Sequence, residues 1–275
     1  MSATNSISPE KLSRLVGTPS CPAIIDIRPD GDTLLPAARQ RRAEDVGQWA
    51  GELIGRKVVV SCVHGRERSA GVAAILRAEG IDAEILEGGF AAWREAGLPV
   101  IEAAKVPERD PAGRTVWVTR SRPKIDRIAC PWLIRRFVDP SATFLFVAPS
   151  EVVGVAERFG ATPFDFEGVF WSHRGEMCTF DTMIEEWGLG GFAGLERLAV
   201  IVRGADTARP EIAPQAAGLL AVSLGLSRIY SDDLEQLEAG MLVYDAFYRW
   251  CRDAVDETHD WVSHKPRRVR EAAPA

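Results

Sequence analysis

Residues 57–71 read KVVVSCVHGRERSAG, and this stretch decides the fold of the first hundred residues. Its first part, residues 57–61, is a β-branched run typical of a parallel strand that is buried on both faces. A turn with Gly65 follows, and then small and aliphatic residues continue to Leu76 at the spacing of a helix. The stretch therefore predicts a strand–loop–helix unit, with Cys62 at the point where the strand gives way to the helix.

A cysteine at that point is predicted to be reactive. Backbone N–H groups at a helix N-terminus have no partner inside the helix, and the helix dipole adds partial positive charge there. Both effects stabilise a thiolate, and the same N–H groups can hold a tetrahedral oxyanion. Arg66 and Arg68 add guanidinium charge, while Gly65 lets the backbone turn tightly. We therefore assign Cys62 as a candidate nucleophile.

Strands and helices alternate on both sides of this unit. An apolar run over residues 23–27 and a short run over residues 83–86 predict buried strands. Residues 39–54 carry apolar side chains at helical spacing, and a last helix begins at Phe90, after two glycines. The alternation predicts an α/β domain in which helices flank a parallel sheet.

Three motifs in this order resemble those of a rhodanese domain over residues ~7–100. They are IIDIR at residues 24–28, the CVHG loop at residues 62–65, and EGGFAAW at residues 87–93. The resemblance implies sulfur transfer through a persulfide on Cys62, from a small sulfur donor to an acceptor thiol, with no cofactor required. It also implies that Asp26 and Arg28 brace the loop by ion pairing.

The loop is one residue longer than in most sulfurtransferase rhodaneses, because Arg68 lies six positions after Cys62. In this respect it resembles the cell-cycle dual-specificity phosphatases and related arsenate reductases. That likeness implies a wider cradle for a full oxyanion, with Arg68 as a clamp and Ser69 hydrogen-bonded to the thiolate. His64 is either a surface residue of the loop or an acid–base group. Sulfur transfer and oxyanion chemistry both remain open at this point.

The second half resembles the C-terminal domain of ChrB-type chromate-resistance proteins. The phrases that carry the likeness are WVTR at 117–120, RPKIDRIACPWLI at 122–134, SHRGEMCTFD at 172–181 and VRGAD at 202–206. The resemblance implies a role in chromate stress and leaves the reaction undefined. Strand and helix patterns predict a helix-rich α/β or α+β domain, with its longest helix over residues 232–252.

Two sets of polar residues stand out in this half. The first is cationic and predicts either a solvated face or an anion pocket: Arg120, Arg122, Lys124, Arg127, Arg135 and Arg136. The second offers metal-ligating atoms: His173, Glu176, Cys178 and Asp181, with Asp126 and Cys130 four residues apart. His173, Glu176 and Cys178 could bind Zn or Fe, or His173 could centre a hydrogen-bond network. Arg203 is a further anion candidate, and Asp206 is either a helix N-cap or a site carboxylate.

Length and composition limit the remaining possibilities. The 275 residues suggest two domains, which we place at 1–104 and 115–275, with a linker at 105–114 that is rich in proline and charge. Five scattered cysteines without a CxxC pair argue against a disulfide scaffold and favour a reducing cytoplasm. The N-terminus lacks the apolar core of a signal peptide, and no apolar run reaches the ~20 residues of a membrane helix.

The acidic charge balance of the chain argues against nucleic acid as a partner. Residues 1–105 carry 13 Lys and Arg against 14 Asp and Glu, and the rest carries 20 against 25. Neither half has a basic footprint, apart from a short KPRRVR run at 265–270 that is typical of a solvated terminus. The sequence does not predict an oligomeric state.

Together these features predict a cytoplasmic protein of chromate or oxidative stress with a sulfurtransferase half. One alternative is a chromate-responsive regulatory or sensor protein. A second alternative is an oxyanion reductase or phosphatase that uses the loop between Cys62 and Arg68.

Overall fold

The computed structural model describes residues 5–29 and 31–258. Its N-terminal part is built from these elements: β1 (Ser6–Ile7), α1 (Pro9–Ser13), β2 (Ala23–Asp26), β3 (Thr33–Leu34), β4 (Ala38–Gln40), α2 (Val46–Trp49), β5 (Lys57–Ser61), α3 (Glu67–Ala78), β6 (Asp82–Leu86), α4 (Gly89–Glu95) and β7 (Ile101–Glu102). The basic run at 265–270 lies outside the described residues.

The N-terminal sheet has five parallel strands in the order β1-β6-β5-β2-β4. The central strand, β5, is buried over Val58–Ser61, which explains its unbroken β-branched sequence. Its neighbour β2 is buried throughout, and Asp26 lies opposite Ser61. Cys62 therefore follows the middle strand at the carboxyl edge of the sheet, where open α/β sheets place their ligands.

The C-terminal part is rich in helices. Its elements are β8 (Val116–Arg120), α5 (Asp126–Leu133), β9 (Thr143–Val147), α6 (Val152–Phe159), β10 (Thr162–Pro163), α7 (Thr179–Glu186), α8 (Leu195–Asp206), α9 (Ala216–Ile229) and α10 (Asp233–Asp253). The strands form a small parallel sheet in the order β10-β8-β9. The expected fold class, a flanked parallel sheet followed by a helix-rich domain, is confirmed.

One helix expected from the sequence is largely absent. Residues 38–40 form β4, which pairs with β2, and only Val46–Trp49 forms an α-helix, followed by a 3-10 turn at Ala50–Leu53. The apolar positions at helical spacing are nevertheless buried. At the start of this segment, the pairing of β4 with β2 therefore outweighs the helical periodicity of the local sequence.

The two domains share one hydrophobic core, to which Leu12, Ile24, Trp93, Trp132 and Phe137 all belong. The ring of Phe137 fills the space beside Gly17, and its carbonyl accepts a hydrogen bond from the backbone N–H of Ala37. Phe137 of the C-terminal domain therefore contacts the N-terminal domain through both its ring and its backbone.

The predicted linker at 105–114 is tied to the C-terminal domain. Lys105 accepts a hydrogen bond from the indole of Trp187 at 3.0 Å, and Arg109 pairs with the buried Asp139 at 3.0 Å. Among residues 5–29 and 31–258, no helix has both the length and the apolar character needed to cross a bilayer.

Candidate functional sites

Cys62 lies in a loop over residues 62–69, which we call the Cys62 loop, between β5 and the first turn of α3. The residue is 6% exposed. Ser69, in the first turn of α3, lies with its hydroxyl oxygen 3.2 Å from the cysteine sulfur and donates a hydrogen bond to the carbonyl of Arg66. The sequence expectation that Ser69 contacts the thiol therefore agrees with this geometry.

Two opposing effects act on the Cys62 thiol. Burial raises its pKa, whereas the Ser69 hydroxyl and backbone N–H groups of Arg66, Ser69 and His64 lower it. The effect of the hydrogen bonds is larger than that of burial, so the pKa of Cys62 lies below the ordinary value for a thiol. The loop amides thus stabilise the thiolate.

Three glycines hold the loop against α4. Gly65, Gly88 and Gly89 all have positive φ, between +62° and +67°. A Cβ on Gly89 would lie 2.4 Å from the carbonyl oxygen of Cys62 and 2.5 Å from the nitrogen of Gly65. This close approach explains the double glycine, because no larger residue fits between the two backbones.

The predicted Asp26–Arg28 brace is present. The guanidinium contacts both carboxylate oxygens of Asp26, at 2.7–3.0 Å, and donates to the carbonyl of Thr33 at 2.8 Å. It also lies 3.4 Å from the centre of the Phe90 ring. Since the backbone N–H of Phe90 donates to the carbonyl of Cys62, the brace reaches the loop through the start of α4.

Arg68 has a different partner from the one expected. Its guanidinium forms an ion pair with Glu44 at 2.7 Å, and its side chain is 46% exposed. It is not among the groups that shift the pKa of Cys62. His64 and Arg66 also have exposed side chains and contribute backbone N–H groups to the sulfur. The clamp on a bound anion is therefore not assembled in this structure.

A second polar site lies in the C-terminal domain. We call it the aspartate–histidine cluster and define it as Asp126, Asp165, His173 and Asp206. His173 Nε2 lies 3.2 Å from Asp206 Oδ2, 3.4 Å from Asp165 Oδ1 and 3.6 Å from Asp126 Oδ2. The four residues come from the start of α5, two loops around β10 and α7, and the end of α8.

Asp126 is the innermost member, with 0% exposure. Its Oδ2 accepts the backbone N–H of Thr179 at 2.6 Å, at the start of α7. Burial raises the pKa of Asp126 well above its usual range, and the carboxylates of Asp206 and Asp165 raise it further. Hydrogen bonds with Asp165 and Asp206 raise the pKa of His173 to about 10. The cluster gathers three carboxyl groups around one imidazole.

The structure corrects the ligand set expected from chain proximity. Glu176 is exposed and pairs with Arg209 at 3.0 Å, away from His173. The thiol of Cys178 donates to Asp181, in a capping arrangement at the start of α7. Among the described residues, the ligand atoms of Asp126, His173 and Asp206 all lie within 4.8 Å of one another, which is close enough to hold a metal ion.

The other candidates near this cluster have structural partners. Cys130 is fully buried, and burial raises its pKa well above the ordinary value. Asp181 is buried and lies 3.5 Å from Arg203. Burial also raises the pKa of Asp181. These three residues therefore support the packing around α7 and contribute no ligand atom to the cluster.

The cationic run does not form one anion pocket. Arg120 and Arg127 both contact Asp165, and Arg127 also donates to the carbonyl of Ser121. Arg122 donates to carbonyls at the end of α9 and pairs with Asp233, while the side chain of Lys124 is exposed. Of these four expected anion ligands, two contact the Asp165 carboxylate, one contacts the end of α9, and one faces solvent.

Asp165 and Thr179 were missed by sequence reasoning. Asp165 accepts a hydrogen bond from the Thr179 hydroxyl at 3.0 Å and has a left-handed backbone with φ +48°. Its place just after β10, at the carboxyl end of a parallel strand, was the available signal. No sequence pattern marks Thr179, because its hydrogen bonds are to Asp126 and Asp165, which lie in other segments of the chain.

A small cavity of about 130 Å³ lies between the two domains, and we call it the interdomain pocket. Cys21 and four arginines contribute to its lining: Arg39, Arg56, Arg135 and Arg136. Arg135 pairs with Glu238 at 2.5 Å and Arg136 pairs with Asp245 at 2.7 Å. Neither Arg39 nor Arg56 has an ion pair within the part of the chain that the structure describes. Burial, reinforced by Arg56 and Arg41, lowers the pKa of Arg39.

The chain is similar to known proteins over parts of its length. Protein ChrB of Cupriavidus metallidurans is 36% identical over 161 residues, which is 55% of this chain and 46% of that protein, so the match spans less than half of the relative. Similar solved structures include a rhodanese-related protein from Thermoplasma volcanium, at 24% identity and a TM-score of 0.32 over 35% of this chain and 97% of that one.

Two further solved structures are similar to about a third of this chain. A rhodanese-like domain protein from Staphylococcus aureus is 28% identical, with a TM-score of 0.31 over 33% of this chain and 91% of that one. A thiosulfate sulfurtransferase from Pseudomonas aeruginosa is 22% identical, with a TM-score of 0.32 over 36% of this chain and 20% of that one.

Family models match two separate segments. Residues 8–96 match the rhodanese-like domain, and residues 117–251 match the ChrB C-terminal domain. This chain therefore joins a rhodanese-like domain to a ChrB C-terminal domain.

Proposed function

We propose that the protein is a cytoplasmic sulfurtransferase of chromate or oxidative stress that acts through Cys62. The observation that carries the proposal is the set of backbone N–H groups and the Ser69 hydroxyl around the Cys62 sulfur, which lowers the pKa of the thiol. A thiolate at neutral pH is the form that attacks sulfur. The ChrB C-terminal domain supports the chromate-stress setting.

The reaction proceeds in two displacements. The Cys62 thiolate attacks the outer sulfur of thiosulfate, a sulfur–sulfur bond forms, and sulfite leaves with the electron pair of the old bond. The persulfide that results is an anion, so the N–H groups of His64, Arg66 and Ser69 stabilise its terminal sulfur as they stabilise the thiolate. An acceptor thiolate or cyanide then takes the terminal sulfur and returns Cys62 to its starting form.

The test is thiocyanate formation from thiosulfate and cyanide. We expect the wild type to turn over and Cys62→Ser to lose about 1,000-fold or more of the rate, because a hydroxyl is a far weaker nucleophile at neutral pH. Cys21→Ser is the matched control and should keep full activity. A mass spectrum after thiosulfate treatment should show one added sulfur atom on Cys62. Turnover that survives Cys62→Ser would exclude the proposal.

The loop length keeps oxyanion chemistry as an alternative at the same cysteine. An exposed ion pair such as Arg68–Glu44 is weak because solvent screens it, so an arriving oxyanion could draw the guanidinium away from Glu44. Hydrolysis of a chromogenic phosphate ester, or chromate reduction with added thiol, by protein that forms no thiocyanate would favour this alternative.

A chromate-responsive role is the second candidate function, and the interdomain pocket favours it. Its volume suits a small anion, and the guanidinium groups of Arg39 and Arg56, which have no ion pair among the described residues, are forked donors that match tetrahedral oxyanions. Because the lining comes from both domains, a bound anion would tie them together. A ligand at that place could therefore change how one domain responds to the other.

Calorimetric titration with molybdate, a non-oxidising tetrahedral dianion, tests this candidate. We expect binding that Arg39→Gln weakens about tenfold or more, whereas Arg158→Gln, on the exposed face of α6, leaves it unchanged. Equal loss in both variants would indicate nonspecific charge attraction and contradict a built site. Nucleic acid is not a proposed partner, because both halves of the chain are acidic.

A further inference from the structure

We infer that Asp126, His173 and Asp206 form a binding site for a divalent first-row transition-metal ion of the Mn²⁺, Fe²⁺ or Zn²⁺ class. The site is independent of Cys62 and of sulfur transfer. Its three residues are brought together from the start of α5, the loop before α7, and the last residue of α8.

The distances fit one ion between the three side chains. Metal–ligand bonds of about 2.1 Å place neighbouring ligand atoms about 3.0 Å apart in octahedral geometry and about 3.4 Å apart in tetrahedral geometry. His173 Nε2 lies 3.2 Å from Asp206 Oδ2 and 3.6 Å from Asp126 Oδ2. The side chains therefore need to move only slightly to coordinate a common ion.

Asp126 supplies an independent observation. Its carboxylate faces His173, and Thr179 already donates to one oxygen, Oδ2. The other oxygen, Oδ1, is buried and has no hydrogen-bond partner within residues 5–29 and 31–258. A buried carboxylate oxygen without a donor is costly, and buried charges in proteins are commonly paired or bound to metal ions. A cation held by this carboxylate would compensate its buried charge.

Asp165 orients the site and is not counted as a ligand. Its carboxylate accepts the Thr179 hydroxyl and contacts Arg120 and Arg127, so its charge is already balanced. Its Oδ1 lies 3.4 Å from His173 Nε2, so it flanks the nitrogen that would bind the ion.

The donor set and its exposure define the class of ion. One imidazole nitrogen and two carboxylates suit ions of borderline or hard character and disfavour soft Cu(I), which prefers thiolates. Asp126 is fully buried, whereas the side chain of His173 is 40% exposed. The ion would therefore be reached by solvent on the histidine side, which leaves coordination positions for water or a substrate.

Mn²⁺ is the probe of choice, because it has little affinity for the free thiols of the chain. Protein treated with a chelator would be titrated with Mn²⁺ by calorimetry, with the electron paramagnetic resonance of free Mn²⁺ as a second readout. We expect one ion per chain and an increase of about 5 °C in the midpoint of thermal unfolding at saturation.

The variants separate this ligand set from the neighbouring residues. His173→Gln and Asp206→Asn should each weaken Mn²⁺ binding about 100-fold, and both positions have some solvent exposure, so folding should be kept. Glu176→Gln is the matched control and should bind as the wild type does. Far-ultraviolet circular dichroism verifies the fold of each variant.

Three results would overturn the inference. The first is a wild type that binds no Mn²⁺, Fe²⁺ or Zn²⁺ below millimolar concentration. The second is unchanged affinity in both His173→Gln and Asp206→Asn. The third is loss of binding in Glu176→Gln with retention in Asp206→Asn.

Discussion

The Cys62 loop and the aspartate–histidine cluster both place an anionic group at the start of a helix, but they are built differently. In the first, the thiol and the N–H groups that surround it all come from residues 62–69. In the second, the N–H groups belong to α7, whereas the carboxylate of Asp126 arrives from α5. A helix start carries the same physics in both cases, and only the first can be found by reading along the chain.

The difference extends to the supports of each site. The Cys62 loop rests on backbone contacts with Gly88 and Gly89, which leave a mark in the sequence as consecutive glycines. The cluster rests on side chains from distant helices. One example is Tyr244 on α10, whose hydroxyl donates to the carbonyl of Ile125 at 3.0 Å. Support of this second kind leaves no recognisable motif.

The largest expected effect concerns the thiols themselves. At pH 7, Cys62 should react with iodoacetamide at least about 1,000-fold faster than Cys21, because burial raises the pKa of Cys21 to about 12 whereas that of Cys62 lies below the ordinary value. The rate at Cys62 should rise with pH and level off earlier than for a free thiol. Peptide mass spectrometry after timed labelling measures both.

Residue exposure alone would predict the opposite order of labelling. Cys21 is partly exposed and Cys62 is buried, whereas burial of the thiol group itself raises the pKa of Cys21. The other thiols are internal controls, since burial raises the pKa of Cys251 to about 11 and those of Cys130 and Cys178 further. Labelling of Cys21 at the rate of Cys62 would show that the helix start does not activate the thiol.

The next effect tests the backbone contact that shapes the loop. Gly89→Ala should slow alkylation of Cys62 about 100-fold, because the new Cβ would overlap the carbonyl of Cys62 and displace the N–H groups from the sulfur. Gly97→Ala is the matched control. It has a similar φ of +66° but nothing within 4 Å of its Cβ, so it shares the backbone strain without the overlap. Similar alkylation rates in the two variants would contradict the role of the glycine contact.

The smallest expected effect lies in the cluster. Tyr244→Phe should lower the free energy of unfolding by about 1 kcal/mol and weaken Mn²⁺ binding about tenfold, because the lost hydrogen bond holds Ile125, whose φ is +39°, next to Asp126. Chemical denaturation and calorimetry measure the two quantities. Tyr248→Phe, one turn further along α10, should leave Mn²⁺ affinity unchanged. Equal loss of affinity in both variants would assign the effect to general loosening of the helix.

Sequence reasoning went furthest where chemistry and chain order coincide. It identified Cys62, Ser69 and the Asp26–Arg28 pair, because their contacts lie within one loop or at adjacent strand ends. It grouped His173 with Glu176 and Cys178 because they are close in the chain. The structure turns Glu176 outward and uses Cys178 to cap α7.

The sequence by itself determined the parallel sheet, the position of Cys62 at a helix start and the helix-rich character of the second half. These follow from local periodicity, β-branched runs and glycine conformations, which act over a few neighbouring residues. Only the tertiary structure decided that Asp126, Asp165 and Asp206 converge on His173, that Glu44 holds Arg68, and that four arginines line a pocket between the domains. Those arrangements depend on how α5, α8 and the two sheets pack through a shared core, and packing partners far apart in the chain are not encoded in any one stretch of it.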